Sequence, residues 1–334
     1  MSNQSPVPLR RESNWVHYMY GPDWQLPSIS PHCLALKLYL AFEGVRVTEV
    51  HCNNPWMTPK EYGLPLLANT STGASAWKFP DIVAWLVEHQ IGSPLSALSP
   101  ADAVRTTEMS ALLEAALEPA LLYNWFIEDR NFPTVSHAFT KHLSFPASGV
   151  ESKQLRDSAR AKLGAMGLLD KEQVYGRAQA AYQALAFHLA PSSPSSPSSP
   201  SSPSSSSLQQ QRWLCGDTPG LIDALVIGHL ALALHAPMDP QASELQALVQ
   251  AHPVLVAYAN EALRVYLRNA PAQIPHQQLP APLPDRLQSA LAKAKSFATS
   301  GTSLTVAVSA VAALFMYMGL KGVLVPRPSV GYDQ

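Results

Sequence analysis

The stretch "GPDWQLPSISPHCLALKLYLAFEG", Gly21 to Gly44, decides the fold. It hands over from an alternating segment, "NWVHYMYG", to an apolar run that opens on Ser-Pro and closes on Gly. Serine before proline is a good helix start: the hydroxyl caps a free N–H, and proline at the first helical position lacks a donor the helix does not need there. Leu34, Leu36, Leu38, Leu40 and Phe42 give the helix its apolar content and Gly44 its stop. "VRVTEVHCN" reads as a second, β-branched strand, so residues 15–53 form a βαβ unit. The turn-rich "NPWMTPKEYG" follows. Then come a short strand "LPLLAN", a turn "TSTG", a brief strand "ASAWK" and a helix "PDIVAWLVEHQ" with Pro80 at an N1-like position.

The order β-α-β-loop-β-β-α is the thioredoxin-like plan, in which Leu64-Pro65 occupies the place of a strand-leading proline that is usually cis. From Pro100 onward the pattern is purely helical. In "TTEMSALLEAALEPALLYNWFIEDR" the residues Met109, Leu112, Leu113, Ala116, Leu117 and Leu121 follow i, i+3, i+4 spacing, with Pro119 expected to kink the helix. "KEQVYGRAQAAYQALAFHLA" is amphipathic, "LIDALVIGHLALALH" is apolar nearly all round as a central helix should be, and "HPVLVAYANEALRVYLRN" closes the set. Asp223, three residues after Gly220, is placed to cap the start of that central helix. The tract "PSSPSSPSSPSSPSSSSLQQQ", residues 191–211, cannot bury anything. It reads as a disordered loop inserted in the helical domain, with a phosphorylated regulatory segment as the functional alternative. The expected fold class is an α/β thioredoxin-like N-terminal domain plus an all-α C-terminal domain, a glutathione-transferase-like layout, followed by a C-terminal transmembrane helix.

That last element comes from "SLTVAVSAVAALFMYMGL", Ser303 to Leu320, which runs uncharged before Lys321. At about 1.5 Å rise per residue it covers roughly 27 Å, close to the ~30 Å of a bilayer core. The Pro-rich spacer upstream and the lack of an amphipathic stripe favour a membrane anchor over a buried core helix. The apolar residues expected to form the anchor are Leu304, Val306, Val308, Val311, Leu314, Phe315, Met316, Met318 and Leu320. The N-terminus has no apolar h-region, so a secretory signal is not expected, and the tail carries the targeting information. Over 334 residues, 47% hydrophobic and 14% charged with a net charge of -1, there is no basic field to recruit nucleic acid. Three scattered cysteines, Cys33, Cys52 and Cys215, show no CxxC and suit a reduced, cytosol-facing compartment.

A residue at the N-terminus of the first helix of a thioredoxin plan feels the helix dipole, which lowers a thiol pKa. Ser30 and Cys33 occupy that location, so they mark the position of a vestigial active site. Redox chemistry needs a second cysteine, which the motif lacks. Transferases hold the γ-glutamyl group of glutathione with an acidic or Gln residue followed by Ser at the start of the helix after the last strand. Here Lys78 and Phe79 stand in those places, so the hydroxyl and the acceptor are gone. Ser30 therefore reads as a helix cap and Cys33 as a small buried apolar residue. His137 with His142, and His229 with His235, miss the i, i+4 spacing of helical metal ligands. Glu128 and Asp129 are adjacent and diverge on a helix, and no nucleotide or acyl-transfer motif is present. No catalytic, cofactor or metal site is expected.

Four stretches taken in order carry a narrower likeness: "GPDWQLPSISPHCLALKLYLAFEGV", "NNPWMTPKEYGLPLL", "NWFIEDRNF" followed by "SFP", and "CGDTPGLIDALVIGHLALAL". With the C-terminal anchor they make the chain resemble the metaxins, from about Trp15 to Leu267. The resemblance implies a non-enzymatic subunit of the sorting and assembly machinery of the mitochondrial outer membrane, anchored by its tail with its bulk facing the cytosol. It implies partners too: the β-barrel core subunit of that machinery, a second metaxin-like subunit, β-barrel precursor proteins and the lipid bilayer. Its expected layout is a flexible arm (1–14), a thioredoxin-like domain (15–92), a helical domain (93–272), a Pro-rich linker and juxtamembrane segment (273–302), the anchor (303–325) and a short tail (326–334). The candidate protein-binding surface is the vacated groove between the domains, bordered by Trp24, Trp56 and Trp77, whose amphipathic rings suit peptide contact. For each tryptophan alone, core packing is the simpler account. The competing readings are a membrane-anchored glutathione transferase using Ser30 or Cys33 and a tail-anchored, transferase-like fission or tethering factor of mitochondria.

Overall fold

The computed structural model describes residues 14–52, 64–91, 98–190, 213–215 and 218–267. The "NNPWMTPKEYG" stretch with Trp56, the Ser/Pro insert, the linker and the 303–325 anchor lie outside the described residues.

Strands β1 (Trp15–Met19), β2 (Thr48–His51), β3 (Leu66–Asn69) and β4 (Ser75–Trp77) form one mixed sheet in the order β2-β1-β3-β4. β1 and β2 run parallel, with His17 opposite Glu49, while β3 is antiparallel to both β1 and β4. A parallel pair needs a crossover, supplied by α1 (Pro31–Phe42). The β3–β4 pair needs only a turn, in which the Asn69 side-chain oxygen accepts from the Ser71 and Thr72 amides and Gly73 takes a left-handed φ of 72°. Trp15, His17 and Met19 form the buried face of β1. The Leu64–Pro65 bond is cis, as its place before β3 suggested.

Both ends of α1 follow from sequence. Ser30, in extended backbone, accepts from the Cys33 amide at 3.4 Å, and Pro31 opens the helix. Gly44, at φ 65°, closes it: its amide donates to Ala41 O and the Val45 amide to Leu40 O, the paired bonds of a Schellman stop. Between the caps, every residue from Cys33 to Leu40 is buried, because the helix is covered on two sides. On the sheet side, Lys37 forms a buried ion pair with Glu49 of β2. On the other side lies α8 (Leu221–His235), where a Cβ on Gly228 would sit 2.7 Å from Pro31 O and 3.1 Å from Ala35 N. Only glycine permits that approach.

Helix α2 (Phe79–Glu88) buries Phe79, Ile82, Val83 and Leu86, the i, i+3, i+4, i+7 stripe of an amphipathic helix. It starts at Phe79, so Pro80 is its second residue rather than its first. Beyond it, the described elements are all helical. α3 (Pro100–Leu112) leads through a π-helical turn, Leu113–Leu117, into α4 (Glu118–Leu122) and a second π turn, Tyr123–Ile127. Pro119 does not end this run. The π turn before it sends the Glu118 amide back to Leu113 O, and the wider turn accommodates the residue that would crowd an α-helical neighbour. α5 (Phe132–Thr140), α6 (Ala147–Ala165), α7 (Lys171–Leu189), α9 (Glu244–Gln250) and α10 (Pro253–Tyr266) surround α8 or buttress its neighbours.

The Asp223 carboxylate accepts from the Gly220 amide at 2.9 Å, the Leu214 amide at 2.8 Å and the Tyr258 hydroxyl, pinning the start of α8 to the segment before it and to α10. Phe42 at the end of α1 meets Tyr266 of α10 edge to face at 4.7 Å. One continuous apolar core results, drawing on the sheet, α1, α2 and the helical region. Among the described residues no helix is long and apolar enough to cross a membrane.

Candidate functional site

The site builds from the corner where β1 hands over to α1, because that is where a transferase-like plan keeps its chemistry. The two residues expected to mark it, Ser30 and Cys33, are one turn apart at the start of α1. Ser30 is 7% exposed, with its hydroxyl oxygen engaged by the Cys33 amide. Cys33 is fully buried, and burial pushes its thiol up to about 11, against the weaker opposing pull of the Ser30 hydroxyl and the Tyr20 backbone. A thiol that stays protonated at neutral pH and meets no solvent is a poor nucleophile. Across from it, Lys78 precedes α2 with a left-handed φ of 63° and makes no side-chain cap, while Phe79 is buried in the core. The start of α2 thus presents a lysine and a core aromatic at the two positions singled out in the sequence.

Two histidines flank α1. His17, on the sheet side, is fully buried with neither ring nitrogen hydrogen-bonded, and burial, reinforced by Lys37 and His51, pulls its pKa down to about 3. His229 follows Gly228 on α8. Its Nε2 is 2.9 Å from the Tyr182 hydroxyl, and burial together with nearby His32 lowers it to about 3 as well. Both are neutral core groups. Among the described residues no cluster of three His, Cys, Asp or Glu could hold a metal ion.

The two described tryptophans of the expected groove occupy different places. Trp77 ends β4, the edge strand, half-buried. Trp24 belongs to a tight turn, Asp23 to Leu26, on the way from β1 to α1. The Leu26 amide donates to Asp23 O at 2.8 Å, and the Asp23 amide returns to Leu26 O at 3.2 Å. Both central residues are left-handed, Trp24 at φ 53° and Gln25 at φ 61°. This is the pattern of a type I′ hairpin turn, which favours Asn and Gly, and each non-glycine residue held there costs roughly 1–2 kcal/mol.

Beyond these bonds, the turn is held from the helical region. The Trp24 ring meets Trp125, in the second π turn, edge to face at 5.4 Å, and Trp125 continues the aromatic wall to Phe126 and Phe139. Tyr20, at the end of β1, meets Phe139 at 5.2 Å. The Lys141 ammonium, just past α5, donates to Asp23 at 2.7 Å. Partial burial of Asp23 works against its charge, but the Lys141 and Trp24 amide hydrogen bonds outweigh it and hold its carboxyl below the usual range. Trp125 is 2% exposed and its indole Nε1 is buried without a hydrogen-bond partner, a deficit of about 1–3 kcal/mol. Sequence reasoning missed Trp125, Phe139 and Lys141. Trp125 lies within the quoted "NWFIEDRNF", where its aromatic neighbours were the available signal.

The comparisons with known proteins agree with this geometry. A model described as the glutathione S-transferase C-terminal domain matches residues 203–262. Among the solved structures to which the chain is similar is a glutathione S-transferase of Ceriporiopsis subvermispora in complex with glutathione. It shares 15% identity at a TM-score of 0.48, covering 76% of this chain and 98% of that one. With a four-stranded mixed sheet followed, among the described residues, by helices alone, the chain is glutathione-transferase-like in fold.

A second model, described as outer mitochondrial membrane transport complex protein, matches residues 33–156. Metaxin-1 of Mus musculus is 26% identical over 272 residues, 79% of either chain, and Metaxin-3 of Danio rerio is 26% identical over 267 residues, 76% of either chain. Over about three quarters of its length or more, the chain is thus similar to the metaxins.

Proposed function

We propose that this chain is a non-catalytic subunit of the protein import apparatus of the mitochondrial outer membrane, supporting the insertion of β-barrel precursors. The observation that carries the reading is the state of the transferase corner: Cys33 is sealed and protonated, Ser30 is engaged in capping, and Phe79 is part of the core. A fold with that corner closed retains its surfaces. The family description, a transport complex of the outer mitochondrial membrane, supplies the setting. In this account residues 303–325 anchor the chain with its bulk toward the cytosol. The barrel-forming core subunit of the sorting machinery and a second metaxin-like subunit are its standing partners, and the groove bordered by Trp24, Trp56 and Trp77 meets precursor segments. Transmembrane strands alternate apolar and polar residues, so aromatic rings with one polar edge suit them.

Site-specific photocrosslinking in mitochondria tests the groove. A photoreactive side chain at Trp77 should capture a labelled β-barrel precursor arrested during import, while one at Phe187, which is 79% exposed on α7, should not. Equal capture at both positions, or at neither, contradicts the reading. Release of the full chain from membranes by alkaline carbonate contradicts the anchor. Retention on immobilised glutathione that disappears in a Ser30→Ala, Cys33→Ala double variant would restore the enzyme alternative.

A further inference from the structure

The Asp23–Leu26 turn breaks a local rule twice in succession, with a bulky Trp24 and a Gln25 both in left-handed backbone; inside it, the paired Asp23–Leu26 backbone bonds and the Trp24 amide on the Asp23 carboxylate close the turn but leave both dihedrals strained. Such strain persists only where the surroundings impose it. Here the surroundings are two contacts from the helical region: the Trp24 ring against Trp125 and the Lys141 ammonium on Asp23. The closed arrangement carries a second deficit, the buried and unpartnered indole N–H of Trp125. Strain and an unmet donor on one side, an edge-to-face ring pair and a half-exposed ion pair on the other, make the closed state a narrow balance.

From this balance we infer that the turn is a strap. Closed, it lays Trp24 over the Trp125 wall as an internal stand-in for a ligand side chain. Lifted, it relaxes Trp24 and Gln25 and uncovers the aromatic surface of Trp125 and Phe139, where the indole N–H meets an acceptor. A backbone carbonyl of an extended polypeptide supplies that acceptor, and its apolar side chains replace the Trp24 ring. The strap thereby regulates the groove proposed above and rests on the reading that the groove receives polypeptide. Asp23 is the charged group that holds it, and Lys141 the charge that faces it.

Amide hydrogen exchange on the full chain in detergent tests this, read over residues 21–30 in wild type, Gln25→Gly and Lys141→Met. Glycine accepts the left-handed position without strain, so Gln25→Gly should slow exchange of the strap roughly fivefold. Loss of the ammonium in Lys141→Met should speed it by a similar factor of about five. A synthetic strand of about ten alternating apolar and polar residues is the probe. On binding it should raise strap exchange in wild type, with affinity highest for Lys141→Met and lowest for Gln25→Gly. Equal exchange in the three proteins overturns the strap, as does a bound probe that leaves strap exchange unchanged. A probe that binds none of them while the exchange order holds upholds the strap and removes the polypeptide reading of the groove.

Discussion

Two halves of one 24-residue stretch behave in opposite ways. From Ser30 to Gly44 the chain satisfies every local demand: a serine cap, a proline at the first helical position, a Schellman stop and a helix buried between the sheet and α8. From Asp23 to Leu26 it holds a tryptophan and a glutamine where glycine or asparagine is comfortable, against an aromatic wall with an unmet donor. In a catalytic transferase-like protein the chemistry would sit in the first of these halves. Here the unresolved tensions lie in the second half, a few residues upstream. Strain retained next to a rigid seam marks the place where the molecule changes state.

The widest gap between the halves should appear on acidification. His17 and His229 stay neutral in the fold down to about pH 3, whereas unfolded histidines take up protons near 6.5. Because the folded pKa lies below the unfolded one, the stability from these groups is complete above pH 6.5. It is lost as pH falls toward 3, at up to about 1.4 kcal/mol per pH unit for each. Denaturant titrations of the full chain should thus show a loss of roughly 4 kcal/mol between pH 7 and pH 5, shrinking by about half in His17→Leu. A flat profile over that range would mean the seam around α1 is open to water.

Next in size is Gly228→Ala. Its Cβ would sit 2.7 Å from Pro31 O and 3.3 Å from Ala35 Cβ, so α8 must move off α1 at a cost of about 2–3 kcal/mol. Gly176→Ala on α7, with nothing within 4 Å, should instead stabilise by about 0.5–1 kcal/mol. If both substitutions give the same shift in chemical denaturation, the α1–α8 contact is not as close as described. Smaller again is Ser30→Ala, which should cost about 1 kcal/mol as a lost cap and leave import competence intact. A stability-neutral variant that abolishes import would return Ser30 to a chemical role. The smallest effect has the opposite sign: Gln25→Gly should raise the melting temperature slightly, by less than about 1 kcal/mol of stability, because relief of strain is partly offset by the freer unfolded chain.

The same contrast explains what the sequence revealed. Ser30-Pro31, Gly44, the βαβ order and the Asp223 cap were legible because each is a local rule obeyed. Cys33 read as a small buried apolar residue, and it is fully buried. The left-handed pair at Trp24 and Gln25 was not legible, since propensity assigns those dihedrals to other residue types. Nor was the passage through Pro119, because a π turn widens the helix without a composition of its own. Gly228 looked like one glycine in an apolar helix, and only the approach of α1, nearly 200 positions earlier, gives it a reason. His17 did share the alternation of Trp15 and Met19, so its burial was open to reading. The contact of Trp24 with Trp125 was not, since the two are about a hundred residues apart and meet only through the fold of the helical region.

The most direct test of the central claim is the composition of the complex that a tagged full-length chain brings down from mitochondria solubilised in mild detergent. The account predicts the barrel-forming insertase subunit and a second metaxin-like chain, in amounts unchanged by the Ser30→Ala, Cys33→Ala double variant. Absence of the insertase subunit, together with glutathione binding that the double variant abolishes, would contradict it.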